Sequence, residues 1–382
     1  MSDQISAANE PAEALLVLED GRFFKGYSFA AQGEVFGQAA LLPDSASYQA
    51  SLTDPGRYQQ VLIAAAPHIG NTGWTEQDNE SSQIYAAGLV VRQFSRLASN
   101  WQAVSSLPEA LTAGGVVGIS GVDTRALTRH LQANGPLRVG ISTLDSDVDS
   151  LLAKVKASQP VNGKNLAAEV STKTSYQVVA DEEVAEIALI DLGVPASMLA
   201  EFTARGLSVR VLPETTTFAD LQENPPAGLV LSPGPGDPRT ANTQIGLVQE
   251  AIAQKIPVLA VGLGQSILTQ ALGLPLIETK SAHLGTKSPV RSLADNSIDI
   301  GVHNHWLSAE ISTDELETEL GTLAVTHRSE PERSVAGFRL LADAKVIALA
   351  RQYLPLAESS SGARKELFDD FAALVLAGKG AK

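Results

Sequence analysis

Short apolar runs alternate with helix-length segments through the second half of this chain, and that alternation constrains its fold more than any other feature. Ile187-Ala188-Leu189-Ile190, Leu207-Ser208-Val209-Arg210-Val211, Gly228-Leu229-Val230-Leu231-Ser232 and Ile256-Pro257-Val258-Leu259-Ala260-Val261 read as strands, with a helix expected over 197–205. Strands separated by helices return parallel to one another, so the pattern predicts an α/β unit built on a mostly parallel, doubly wound sheet. Loops at the carboxyl ends of such strands are where ligands bind. Two of them are rich in glycine: Pro233-Gly234-Pro235-Gly236-Asp237-Pro238 and Gly262-Leu263-Gly264-Gln265-Ser266. The second has the form of a strand turning sharply into a helix, a frame that presents a nucleophile. Position 262 is glycine, and none of the 382 residues is cysteine.

The first half reads differently. Ala14-Leu15-Leu16-Val17-Leu18 before Glu19-Asp20-Gly21 predicts a strand entering a hairpin. Short apolar strands follow at Val61-Leu62-Ile63-Ala64-Ala65, Gly88-Leu89-Val90-Val91 and Gly115-Val116-Val117-Gly118-Ile119, with a helix at Thr124-Arg125-Ala126-Leu127-Thr128-Arg129-His130-Leu131. The expected organisation is a disordered leader over 1–12, a β-rich domain over 13–145, a polar linker over 146–183 and the doubly wound domain over 184–378. A hydrophobic content of 44% suffices for a core in each domain. The formal charge of −15 disfavours nucleic acid and anionic membrane as partners. Without cysteine there are no disulfides, thiolate metal sites or thiol catalysis. No apolar run approaches the roughly 20 residues that span a bilayer, and a polar start unlike a signal peptide makes the cytoplasm the expected compartment.

Several strings resemble the small, glutaminase chain of carbamoyl phosphate synthetase. In the first half they are Leu52-Thr53-Asp54-Pro55, Pro67-His68-Ile69-Gly70-Asn71, Glu80-Ser81-Ser82-Gln83, Ala98-Ser99-Asn100-Trp101 and Gly121-Val122-Asp123-Thr124-Arg125-Ala126-Leu127-Thr128-Arg129. In the second half they are Leu231-Ser232 with the Pro-Gly-Pro-Gly-Asp-Pro string, the turn at Gly262, Asn304-His305 and Thr326-His327-Arg328-Ser329. The resemblance implies a class I glutamine amidotransferase-like second domain, in which a cysteine attacks the glutamine amide, a histidine activates the thiol and a glutamate orients the histidine. Gly262 stands at the cysteine's place, and Leu354-Pro355-Leu356 stands where the family has His-Pro-Glu. The last histidine in the chain is His327, so no shift of alignment restores the base. Glycine also relieves a strained turn, worth roughly 1–3 kcal/mol in other residues.

The resemblance further implies a remodelled glutamine pocket. Asp44 stands at the place of a substrate-contacting serine, where its carboxylate would repel the α-carboxylate of glutamine. Ser266 stands for a glutamine, and His303-Asn304-His305-Trp306-Leu307 stands for Gln-Asn-His-Gly-Phe. Trp306 brings on the order of 200 Å² of surface where a glycine backbone lined the pocket. Leu263, Gly264, Asn304 and Leu307 complete the pocket, and Gly234 and Gly236 match an oxyanion-hole loop. The matching partner is an ATP- and magnesium-using large chain in a hetero-oligomer, with no cofactor in this chain and carbamoyl phosphate bound for arginine or pyrimidine synthesis. With the triad gone, free ammonium becomes the expected nitrogen source. A ligand-sensing pocket using Asp44 and Trp306, or glutamine hydrolysis by another chemistry, are the alternatives. His303-x-His305 places two imidazoles on one strand face. A metal site is not expected there, because no cysteine joins them and His305 and His327 match structural positions of the family. Ser266 lies one turn into the helix, a poor place for a substitute nucleophile.

Overall fold

The computed structural model describes residues 12–330, 332–355 and 363–379. They form two compact units. The first comprises the described residues through Gln49, together with Gln59–Asp78 and Ala86–Gln159; the second comprises Ala50–Tyr58, Asn79–Tyr85 and the chain from Pro160 onward.

The first unit is organised on a closed barrel of seven strands. Glu13–Leu18 pairs antiparallel with Phe23–Ser28 through the expected hairpin, where Gly21 takes φ 90° and the Leu18 amide bonds the Arg22 carbonyl at 2.8 Å. Gln60–Ala64 lies parallel to Glu34–Leu42 on one side and Gly88–Val90 on the other, and Arg138–Ser142 closes the barrel against Glu13–Leu18. Closure leaves no free edge. Leu16, Val61, Ile63, Val90, Ile119 and Ile141 fill one core. Helix Thr124–Asn134 adds Leu127 and Leu131 to it, and its first turn is capped by Asp123, which accepts from the Ala126 amide at 2.9 Å.

In the second unit five strands run parallel in the order Leu207–Leu212, Ala185–Ile190, Leu229–Leu231, Val258–Val261, Lys345–Arg351. Helices cover both faces, which is why Leu229–Leu231 and Val258–Val261 are apolar throughout rather than alternating. On one face Leu231, Ala260 and Ala350 pack with Leu247 and Val248 of helix Asn242–Ala253 and Ile267 of helix Leu263–Ala271. On the other, Val230, Leu259 and Leu349 meet Met198 and Phe202 of helix Ala196–Thr203 and Phe368 and Phe371 of helix Ala363–Lys379. Phe202 meets the two phenylalanines edge-on at 5.1 and 6.0 Å.

The sheet continues beyond this parallel core with antiparallel strands that the alternation did not announce. Val335–Ala342 and Gly321–Ser329 follow Lys345–Arg351, then the long hairpin Leu276–Ser292 and Ile298–Ala309. The segment 146–183, expected as a linker, is instead divided between the units. Helix Val148–Ala157 buries Leu151 against Leu15 and Val17, while Tyr176–Val178 adds an antiparallel edge strand beside Leu207–Leu212. Its polarity belongs to a helix exposed on one side, with Lys154 paired to Glu34 and Asp145. Of the leader 1–12, residues 1–11 lie outside the described residues.

Candidate functional site

Strand Val258–Val261 is buried throughout, between Leu229–Leu231 and Lys345–Arg351 in the parallel core, and ends at Gly262. Gly262 takes φ 57° and ψ −114°, and its amide donates to the Arg351 carbonyl at 2.8 Å. A Cβ built here would lie 3.2 Å from Pro233 Cβ, so space is tight and the torsion itself is strained for any L side chain. Helix Leu263–Ala271 begins at once. Its Gly264 lies so close to the neighbouring strand Leu229–Leu231 that a Cβ would stand 2.5 Å from the Leu231 carbonyl oxygen. Gly234 is tighter still, with a Cβ 1.9 Å from the Leu192 oxygen, and Gly236 at φ 106° would press a Cβ to 2.8 Å from the Leu166 nitrogen. Backbone proximity alone therefore demands glycine at positions 234, 236 and 264. Leu263 is half-buried against the core.

The pairing of Val258–Val261 with Lys345–Arg351 brings residues 351–354 alongside the turn. Leu354 pairs with Val302 and presents a half-buried hydrocarbon side chain. Leu356 lies outside the described residues. The polar group beside the turn is Gln352, which sequence reasoning missed. Its Oε1 accepts from Gln265 Nε2 at 3.0 Å, and its Nε2 stands 3.5 Å from both the Gly262 carbonyl and Ser266 Oγ. Ser266 is only 3% exposed. Tyr353, also missed, is buried over Gly301, where a Cβ would stand 2.2 Å from its ring. Burial pushes its hydroxyl up to about 12.

Strand Ile298–Ala309 carries the remaining second-unit positions. Asn304 donates to the Gly56 carbonyl at 2.9 Å and accepts from Arg57 Nη1 at 3.1 Å, while Asp54 caps the turn Pro55–Arg57 through the Gly56 amide at 2.8 Å. Asn304 is thus engaged in holding the Ala50–Tyr58 segment. Leu307 is buried. Over the half-buried Trp306 lies the Arg239 guanidinium, 5.1 Å from the ring centroid, within cation–π range. Arg239 in turn is gripped by Asp237 through Nε at 2.9 Å and Nη2 at 2.6 Å. Burial works to raise the Asp237 pKa, but these bonds and the Gly163 amide outweigh it and hold the carboxylate below its usual range. The ladder Asp237, Arg239, Trp306 extends the Pro-Gly-Pro-Gly loop; Arg239 stands two residues beyond Asp237 in sequence, but nothing in that spacing names its aromatic partner. Asp44 belongs to the first unit, where its Oδ1 caps the Ala46 amide at 2.9 Å.

His303 and His305 do share a strand face, and His283, their missed companion, comes from the facing strand in register with His305. The three ring centroids stand 5.2–5.5 Å apart. Burial, with His283 alongside, lowers His303 to about 3, and burial lowers His305 well below its usual value. Both ring nitrogens of His303 and Nδ1 of His305 are buried without a hydrogen-bond partner, while His283 Nε2 stands 3.2 Å from Glu332. Among the described residues, no group of three His, Cys, Asp or Glu side chains is arranged to hold a metal ion.

Comparison with known proteins gives this geometry its kin. The small-chain CPSase domain of carbamoyl-phosphate synthase matches residues 16–141, and the class I glutamine amidotransferase domain matches residues 188–374. The carbamoyl phosphate synthase small chain of Streptomyces avermitilis is 39% identical across 97% of both chains. This chain belongs to the carbamoyl phosphate synthase small-chain family. The small chain of Corynebacterium diphtheriae is 38% identical, covering 97% of this chain and 99% of that one, and the Mycobacterium tuberculosis small chain is 37% identical over 97% and 100%. The turn at Gly262, an elbow between strand and helix, and Gln352 beside it both lie within the matched amidotransferase domain. No helix among the described residues is long and apolar enough to cross a membrane.

Proposed function

We propose that this carbamoyl phosphate synthase small chain does not hydrolyse glutamine and instead supports an ATP- and magnesium-using large chain that takes up ammonium directly. The carrying observation is Gly262: the elbow backbone is intact at φ 57°, yet it presents no nucleophile, in a chain without cysteine. A thiolate would also need a base, and Leu354 offers hydrocarbon there. Ser266 is a poor substitute, being buried in the bonding range of Gln352. Arg239 laid over Trp306 favours a structural role for the old pocket over a remodelled ligand site. A small chain without catalysis still acts on its partner whenever it binds one state of the large chain better than another.

The test is carbamoyl phosphate synthesis by the large chain of the same organism, with and without this chain, on glutamine or on ammonium. Ammonium-only synthesis that rises when this chain is added supports the proposal. Glutamine-driven synthesis overturns it. A Gly262→Cys variant should remain without glutaminase activity, because removing any one member of a triad costs several orders of magnitude in rate and the base would still be missing.

A further inference from the structure

On the sheet face covered by helix Ala363–Lys379, a cavity of about 660 Å³ opens between that helix and the hairpin turn linking Leu276–Ser292 to Ile298–Ala309. Its size falls within the range of small-molecule sites, roughly 300–1,000 Å³. Two walls carry carboxylates: Asp295 and Asp299 on the hairpin, Glu366 and Asp370 on the helix. The helical pair is four residues apart and so projects from one face. Against these four stand the guanidiniums of Arg339 and Arg351, leaving the lining negative by two formal charges. His327 also lines the cavity and adds no positive charge, because burial lowers it to about 3. Between the walls the hydrocarbon surface comes from Val346, Leu349 and Leu374, beside the hydroxyl-bearing Ser292, Ser297 and Thr326.

The carboxylates are not equivalent. Asp295 is occupied by Ser297, which donates both its amide and its hydroxyl at 3.1 and 2.8 Å. Arg351 bonds Thr326 Oγ1 and lends its field to Glu366 and Asp370. Asp299 is 8% exposed, and its Oδ2 is buried with no hydrogen-bond partner. A buried carboxylate oxygen without a donor costs about 1–3 kcal/mol or more, and such a group calls for a missing partner. The partner must donate hydrogen bonds, carry positive charge and tolerate an apolar flank.

We infer that this cavity binds an aliphatic diamine, with one ammonium on Asp299, the methylene stem along Val346, Leu349 and Leu374, and the second ammonium toward Glu366 and Asp370. Ammonium to buried carboxylate is a charge-assisted bond, among the stronger kinds available, and the stem gains from burial against hydrocarbon. The inference is independent of the nitrogen donor: it holds whether or not glutamine is hydrolysed.

Titration calorimetry of the full chain with putrescine and with butylamine decides it. Saturable one-to-one binding of putrescine, tighter than butylamine, is expected. Asp299→Asn should weaken both by at least about tenfold, the loss expected for one charged hydrogen bond. Asp370→Asn, on the exposed opposite wall, should weaken putrescine and leave butylamine unchanged, so the result does not hang on one variant folding. Asp343→Asn, at a surface ion pair with Lys255, should change nothing. No saturable heat up to about 10 mM amine, a dissociation constant in the weakest useful range, overturns the inference. So does binding that survives both Asp299→Asn and Asp370→Asn in folded protein.

Discussion

The elbow and the long hairpin satisfy buried polar groups to different degrees: beside Gly262 one buried atom, Gln265 Oε1, lacks a partner, whereas the hairpin leaves several. Around Gly262, Gln265 bonds Gln352 and Ser266 lies within 3.5 Å of it, while the Gly262 amide itself bonds Arg351. Along strand Ile298–Ala309, on alternate residues, Asp299, His303 and His305 bury atoms that meet no donor or acceptor. The frame around Gly262 is held mainly by packing, while most of the unpartnered polar atoms of this region sit on the hairpin strand Ile298–Ala309. Conditions that change charge should therefore act on the hairpin first, and backbone substitutions should act on the elbow first.

The sharpest way to break that contrast is Gly234→Ala. Its Cβ would lie 1.9 Å from the Leu192 carbonyl oxygen, a backbone atom that cannot swing aside. A loss of about 3 kcal/mol or failure to fold is expected, measured by chemical denaturation. A near-neutral outcome would mean that the loop is not held by packing.

Acidification comes next. His303 has a folded pKa depressed from 6.5 to about 3, so its contribution to stability is complete above the unfolded value and is lost as pH falls from about 6.5 toward 3. At pH 5 this amounts to about 2 kcal/mol from His303 alone. His305 acts in the same direction. The charges facing them include His283 and the Glu332 carboxylate bonded to it, with the Tyr353 phenol stacked on His303. Asp54, whose carboxyl is pushed upward by burial, opposes the trend in part. Denaturant midpoints between pH 7 and pH 5 should fall in the native chain and fall less in His303→Gln, which carries an uncharged amide. Equal slopes in the two proteins would remove the hairpin as the acid-sensitive region.

The smallest effect is at the elbow torsion. Gly262→Ala places a Cβ at φ 57° and ψ −114°, and a cost of about 1–2 kcal/mol is expected, with no change in the pH dependence. A shift in the acid limb would join the two regions that the comparison separates.

Much of this was legible in one dimension, for identifiable reasons. The strands at 187–190, 229–231 and 258–261 are continuous apolar runs because both their faces are covered, and the Gly262 turn is marked by its position between such a strand and a helix. The antiparallel hairpin escaped because its polar residues face inward, against the usual alternation. The 146–183 segment looked like a linker because its helix buries only a narrow face. Gln352, Tyr353 and His283 left no signal: their partners are 87, 50 and 22 residues away along the chain.

By itself the sequence determined the alternation, the absence of a thiol, the lack of any histidine beyond 327 and, through its motifs, the family. Those depend on residue identity and local period, which any stretch of chain carries with it. Only the tertiary structure decided that Arg239 covers Trp306, that three histidines crowd together and that Asp299 faces a cavity without a partner. Each of these is a contact between distant segments, set by strand register and sheet order, and its energy depends on how fully folding removes water from both sides.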